Sequence, residues 1–143
     1  MLSTILDRKS INLDITHRCT LECPKCLRRS VPTNNLSDLS LDSFKKIISH
    51  FDQIEFCGQI SDPIYHPQFL TFLEMMDGLG KGLRVATNGT NTKGMDEKWW
   101  EKAYSYGLGE NCWYFGVDGL DKKSELYRIG SNFEQVWETM KMG

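Results

Sequence analysis

The chain has 143 residues, a formal net charge of −2 and 40% hydrophobic residues. This length suits one globular domain, residues 1–143, and the balanced charge argues against a surface dedicated to nucleic acid or to anionic membranes. No apolar run approaches the roughly 18 residues that span a bilayer, and the N-terminus lacks the pattern of a signal peptide. Five cysteines, an odd number, make a poor disulfide framework and fit a reducing compartment. We therefore expect a cytoplasmic protein.

Segments typical of strands alternate with segments of helical periodicity along the first half of the chain. Residues 11–15 predict the first strand, and a cysteine-rich loop and a polar linker follow it. A helix is predicted over 41–51 because its apolar residues fall on one face, with Ser40 as the N-cap. Residues 53–57 predict a second strand. The next helix is predicted to begin near Pro67 and to continue through the apolar positions Phe69 to Leu79.

The same alternation continues in the second half. Residues 83–86 predict a third strand, 96–106 a third helix that stops at Gly107, and 113–117 a fourth strand. A last helix is predicted to open with a capping box of Ser131 and Glu134, and to bury Val136 and Trp137 among other apolar residues. Four successive strand and helix units predict an α/β fold with a parallel sheet and right-handed crossovers. In such a fold the strand ends that precede helices share one edge, where ligands bind.

Three cysteines within eight residues are the most informative feature of the chain. Cys19, Cys23 and Cys26 have the spacing CxxxCxxC and directly follow the first predicted strand. Three thiolates in so short a loop can share a metal ion or an iron-sulfur cluster, but they provide no obvious fourth ligand. The spacing therefore predicts a metal centre with one open position. Cys57 and Cys112, on or next to strands, are interpreted as small buried hydrophobic residues.

Polar and glycine residues follow the other three predicted strands, at the edge that carries the cysteines. Each group taken alone is typical of an ordinary turn. The groups indicate a ligand site because all of them are expected to lie next to the cysteine loop. The groups are Gly58, Gln59, Asp62 and Pro63 after strand two, Thr87 and Asn88 after strand three, and Asp118 and Gly119 after strand four.

With these motifs the chain resembles the radical S-adenosylmethionine (SAM) enzymes. The segment DITHRCTLECPKC resembles their cluster motif, DPIYHPQF the end of their glycine-rich motif, and ATNGT their third-strand motif. The segment GVDGLDKKSELYRIGSNFEQV resembles the fourth strand of the peptide- and protein-modifying (SPASM-type) members. The resemblance implies a partial TIM barrel of which this chain holds four βα units, (βα)4, where the family usually has six. It also implies reductive cleavage of SAM to a 5′-deoxyadenosyl radical, which abstracts hydrogen from a substrate, here a peptide or protein.

The resemblance also implies roles for individual residues. Cys19, Cys23 and Cys26 would bind three irons of a [4Fe-4S] cluster, and SAM would chelate the fourth. The implied SAM contacts are Gly58, Gln59 and Asp62 at the methionine end, Arg128 at the carboxylate, and Thr87, Asn88 and Asp118 along the rest of the site. Lys25 stands at the position on the adenine side where the family commonly has an aromatic residue, and Gly116 stands where a Ser often contacts the ribose.

The resemblance also implies partners for the chain, and two other functions stay open. A radical SAM enzyme needs an external electron donor, and a sheet that ends at strand four leaves an edge for a second copy or a second chain. The chain is expected to be either a fragment or a naturally shortened member. Two alternatives are a non-catalytic zinc-binding module completed by Cys57 or His17, and a cluster-binding partner subunit without activity of its own.

Overall fold

The strands form one open parallel sheet. A computed structural model describes residues 9–32, 34–107 and 111–143. All strand pairings are parallel, and the strands, in the order in which they pair, are β1 (Ser10–Leu13), β2 (Gln53–Phe56), β3 (Gly82–Thr87) and β4 (Asn111–Phe115). Within the described ranges β1 pairs only with β2 and β4 only with β3, so no closed barrel forms. The predicted parallel α/β fold is confirmed, and it is consistent with a partial barrel.

In the described ranges, five α-helices and two short 3₁₀ helices connect and follow the strands. The α-helices are α1 (Leu41–His50), α2 (Phe69–Met76), α3 (Glu97–Ser105), α4 (Lys122–Tyr127) and α5 (Phe133–Met142), and the 3₁₀ helices are Leu27–Arg29 and Pro63–Tyr65. Ser40 caps α1 as predicted, because its hydroxyl accepts the backbone N–H of Ser43 at 3.2 Å. Helix α4 was not predicted. Among the described residues, each helix is too short or too polar to cross a membrane.

The core lies between one face of the sheet and helices α1, α2 and α3. Alternate strand residues such as Ile54, Phe56 and Val85 are fully buried against this layer. The rings of Phe44 in α1 and Phe72 in α2 meet edge to face with their centroids 4.6 Å apart. Each large side chain buried in this way contributes about 1.5–3 kcal/mol. The packing fixes the strand ends relative to one another.

The opposite face of the sheet is polar. Asn12, Glu55, Arg84 and Cys112 lie side by side in register across the four strands. Asn12, Arg84 and Cys112 are exposed and Glu55 is partly exposed. The prediction that Cys57 and Cys112 are buried is therefore wrong: Cys112 is exposed and Cys57 is half-buried. We call the surface formed by Asn12, Glu55, Arg84 and Cys112 the open face.

The last helix begins one residue later than predicted. Asn132, not Ser131, is its N-cap and accepts the backbone N–H of Gln135 at 2.9 Å. The buried side of α5 then carries Val136 and Thr139, which leaves Trp137 46% exposed. Both Ser131 and Asn132 suit an N-cap, and the sequence pattern alone did not separate them.

Helix α2 is shorter than predicted. It begins at Phe69, two residues after Pro67, and ends at Met76, so Leu79 lies beyond it and is 47% exposed.

Candidate functional site

The carboxyl ends of all four strands surround one cleft of about 290 Å³. The cleft contains the three clustered cysteines and polar residues from each of the following loops. Its lining consists of Cys19, Leu21, Cys23, Cys26, Cys57, Gly58, Ser61, Asp62, Ala86, Thr87, Asn88, Tyr114, Phe115, Gly116 and Arg128. Four loops that are distant in sequence thus meet at the edge where the sequence placed them. Of the residues proposed as SAM contacts, Gln59, Asp118 and Lys25 lie outside this lining.

The cysteine loop is held by contacts with its own backbone and with the segment after α4. The N–H of Cys26 bonds to the carbonyl of Cys23 at 3.1 Å, which forms a tight turn between two of the thiols. Arg28 donates from Nη1 to the carbonyl of Cys19 at 2.8 Å. The N–H of Glu22 bonds to the carbonyl of Ile129 at 2.9 Å. These bonds turn the loop toward the cleft and leave Lys25 exposed at its tip.

Two opposing effects in the cleft change the pKa values of the cysteine thiols. Burial raises the pKa of Cys19 and of Cys23. For Cys23 the positive charge of Arg128 opposes that increase. Thiolates are the form that binds metals, and a nearby cation favours them. The cleft therefore pairs soft sulfur donors with a positive group, a combination that fits an iron-sulfur cluster.

No group of three His, Cys, Asp or Glu side chains in the described ranges is arranged to hold a single metal ion. His17 lies 3.6 Å from Asp38, measured from Nδ1 to Oδ1, and is absent from the cleft lining. This disfavours His17 as the fourth ligand of the alternative tetrahedral zinc site, whereas Cys57, the other candidate, does line the cleft. The predicted iron-sulfur cluster does not need three side chains around a single metal ion, because each thiolate would bind a different iron.

Asp62 is the buried centre of the site. It is 3% exposed. Its carboxylate accepts hydrogen bonds from Thr87 Oγ1 at 2.8 Å, from the N–H of Asn88 at 2.6 Å and from the N–H of Ile64 at 3.3 Å. Burial raises the pKa of Asp62 to about 6, and these hydrogen bonds and the charge of Arg128 oppose the increase. Asp62 thus joins the loop after β2 to the loop after β3.

The loop after β2 is fixed by a residue that the sequence analysis missed. Oδ1 of Asp14 accepts the backbone N–H of Gln59 at 3.1 Å and the hydroxyl of Ser61 at 2.9 Å. The tight fold of this loop also requires a glycine, since a Cβ on Gly58 would lie 1.9 Å from the carbonyl oxygen of Ser61. Gln59 itself is exposed, and only its backbone takes part in this arrangement. Asp14 directly follows β1, but its partners lie 45 and 47 residues away.

Arg128 closes the cleft on the side of β4. Its Nε lies 2.5 Å from Oδ2 of Asp118, yet this buried Nε has no hydrogen bond of good geometry among the described residues. The guanidinium covers Gly116, where a Cβ would lie 2.6 Å from Nη2 of Arg128. A side chain at position 116 would require this guanidinium to move. Arg128 thus supplies a positive group, paired with Asp118, that lines the cleft.

The chain is similar to two curated proteins and matches no known family profile. It is 29% identical over 127 residues to the tungsten-containing aldehyde ferredoxin oxidoreductase cofactor-modifying protein of Pyrococcus furiosus, a match that covers 85% of this chain and 34% of that protein. It is 24% identical over 129 residues to the 7,8-dihydro-6-hydroxymethylpterin dimethyltransferase of Methanocaldococcus jannaschii, which covers 85% of this chain and 24% of that protein. The chain therefore spans about a third and a quarter of the length of these relatives.

Proposed function

We propose that this chain forms the cofactor-binding part of a radical SAM enzyme. The observation that carries the proposal is the single cleft into which four strand ends bring three cysteines, a buried carboxylate and an arginine. The two relatives, one named a cofactor-modifying protein and the other a dimethyltransferase, support a role in enzymatic chemistry.

In this proposal Cys19, Cys23 and Cys26 hold a [4Fe-4S] cluster. The cluster would supply one electron to the sulfonium of SAM, which yields methionine and a 5′-deoxyadenosyl radical. The positive Arg128 would attract the carboxylate of the methionine end. Asp62 Oδ2 accepts one hydrogen bond from the protein, and a carboxylate oxygen has a second acceptor position that suits an ammonium group. Thr87 would act indirectly, through its bond to Asp62.

We further propose that the substrate is a small polar heterocycle, in preference to the predicted peptide or protein. One relative is named for a pterin, and the other for modifying a cofactor. The open face continues into the cleft, because Cys57, which directly follows β2, and Tyr114 of β4 line the cleft two positions beyond Glu55 and Cys112. The carboxylate of Glu55 suits the adjacent N–H donors of a pterin, Arg84 suits its carbonyl, and Tyr114 offers an aromatic surface.

Two partners accompany the proposal. The reaction requires an external one-electron donor. The hydrogen-bonding edge of β4 is unpaired among the described strands, and it suits one more strand from a second copy or a second chain.

Anaerobic reconstitution tests the proposed chemistry. We expect about four iron and four sulfide per chain, and release of methionine and 5′-deoxyadenosine when SAM and a strong reductant are added. Cys23→Ala should lose the cluster, whereas the matched control Cys112→Ala, exposed on β4, should retain it. Stoichiometric zinc without SAM cleavage would contradict the proposal. A stable cluster without cleavage would support the non-catalytic partner subunit instead.

A binding measurement tests the substrate class separately. We expect 7,8-dihydro-6-hydroxymethylpterin to bind the reconstituted protein, and Glu55→Gln to weaken that binding at least about tenfold through loss of a charge-assisted contact. Glu101→Gln, an exposed carboxylate on α3, is the matched control and should bind as the wild type does. No pterin binding, or equal binding by both variants, would refute the assignment and return the predicted peptide as the leading candidate.

A further inference from the structure

The side-chain amide of Asn88 is oriented by the groups around it. Asn88 is 5% exposed, and its Oδ1 lies 2.8 Å from the backbone nitrogen of Thr90. Because a backbone N–H can only donate, the amide atom that faces it must be the oxygen. The amide nitrogen then points the other way, where Nδ2 lies 3.7 Å from Sγ of Cys19. A turn-forming role for Asn88 accounts for the bond to Thr90 and leaves the contact with sulfur unexplained.

Tyr65 holds this amide and the cysteine loop together. Its hydroxyl lies 3.1 Å from Oδ1 of Asn88 and 2.7 Å from the carbonyl of Thr90. The same hydroxyl accepts a hydrogen bond from Oγ1 of Thr20, the residue after Cys19, at 2.8 Å. Burial raises the pKa of Tyr65, so the hydroxyl keeps its one proton at neutral pH and shares it between these two acceptors. The contacts form a closed path from Cys19 through Asn88 and Tyr65 to Thr20.

We propose that Asn88 donates an N–H···S hydrogen bond to Cys19 and thereby sets the reduction potential of the bound cluster, with Tyr65 as a positioning residue. This inference rests on the proposed function, because it assumes that Cys19 binds the cluster. Hydrogen bonds to cluster sulfurs stabilise the more negative, reduced form and raise the potential. Asn88 would then act on the cluster side of the site, whereas the family resemblance implied that Asn88 contacts SAM.

The test is the midpoint potential of the reconstituted cluster, followed by electron paramagnetic resonance during a reductive titration. Asn88→Asp keeps the acceptor for Thr90 but replaces the N–H donor by a carboxylate oxygen next to the sulfur. We expect at least a tenfold shift toward the oxidised cluster, which is about 59 mV lower for one electron. Asn91→Asp is the matched control: it makes the same change in the same loop, and its Oδ1 accepts from Nε1 of Trp100 at 2.6 Å.

A second variant keeps the test decisive if Asn88→Asp does not bind a cluster. Tyr65→Phe leaves the amide in place but removes one of its two restraints, so the potential should fall in the same direction by a smaller amount. An unchanged potential in Asn88→Asp relative to Asn91→Asp would overturn the inference, as would an unchanged potential in Tyr65→Phe where only that variant binds a cluster. A wild-type protein that binds no cluster overturns the proposed function and this inference with it, so the two failures are distinguishable.

Discussion

The backbone of the loop after β2 leaves no room for a side chain at position 58. An ideal Cβ on Gly58 would lie 1.9 Å from the carbonyl oxygen and 2.7 Å from the carbonyl carbon of Ser61, whereas contacts under 3.0 Å are essentially never observed. Gly58→Ala must therefore move backbone atoms by about 1 Å, because both clashing atoms belong to the main chain. Asp62 directly follows Ser61, its Cα would lie 3.1 Å from the added Cβ, and its carboxylate joins this loop to the next one.

The size of the effect follows from the hydrogen bonds of Asp62. They span 2.6 to 3.3 Å, and a shift of about 1 Å moves them beyond the range of effective bonds. Hydrogen bonds to charged groups contribute about 1.5–3 kcal/mol each, so the loss of one or two gives a destabilisation of about 1.5–6 kcal/mol. We expect Gly58→Ala to lower the free energy of unfolding by that amount and to reduce iron incorporation on reconstitution.

Urea denaturation measures this free energy, and Gly82→Ala is the matched control. A Cβ on Gly82, at the start of β3, would meet Gln53 at 3.5 Å, which is ordinary van der Waals contact. The control should therefore differ from the wild type by about 0.5 kcal/mol or less. If Gly58→Ala were as stable as Gly82→Ala, the close approach of the Ser61 carbonyl and the coupling of this loop to Asp62 would both be refuted.

Three further predictions concern the site and its support. Thr87→Val should lower the free energy of unfolding by about 1.5–3 kcal/mol in urea denaturation, because Asp62 loses a buried donor at 2.8 Å; an unchanged stability would contradict this. Lys81→Met should destabilise by about 1–3 kcal/mol, since Nζ donates to two carbonyls at the end of α1, whereas Lys45→Met on the exposed side of α1 should have little effect. Because the pKa of Asp62 is about 6 in the folded protein and 3.8 in the reference state, the folded protein binds more protons between these values. The contribution of Asp62 to the stability of the fold should therefore fall by up to about 3 kcal/mol as pH rises from 4 to above 6. Parallel pH profiles of unfolding for the wild type and Asp62→Asn would contradict this shift.

The fold was predictable because burial leaves a periodic pattern in the sequence. The strands and the apolar stripes of α1, α2 and α3 were found because their buried residues recur at fixed intervals. Helix α4 lacks that signal: Leu126 within it is 78% exposed, and the buried residue is the polar Ser124. The displaced start of α5 had a different cause, since two adjacent residues had equal capping ability.

The cleft was predictable where a local spacing or the shared edge of a parallel sheet brings its residues together. Cys19, Cys23 and Cys26 lie in one loop, so their order alone indicated a shared centre. Asp14 and Tyr65 act through partners between 23 and 47 residues away, and no local pattern connects them. The contact between Arg128 and Gly116 also joins two separate segments of the chain. Only the structure shows that the guanidinium lies over the glycine.

The identity of Asp62 has a structural explanation that is independent of any ligand. Three donors converge on its carboxylate, and Asn could not satisfy them, because its NH₂ group would face either the N–H of Asn88 or the donors on the other oxygen. An acidic residue at this position is therefore required by the loops themselves, and its acidity alone is weak evidence for contact with SAM. Variants separate the two roles: Thr87→Val weakens the support of the carboxylate and keeps its charge, whereas Asp62→Asn removes the charge as well. A ligand contact predicts that SAM affinity falls much further in Asp62→Asn than in a Thr87→Val protein of equal stability.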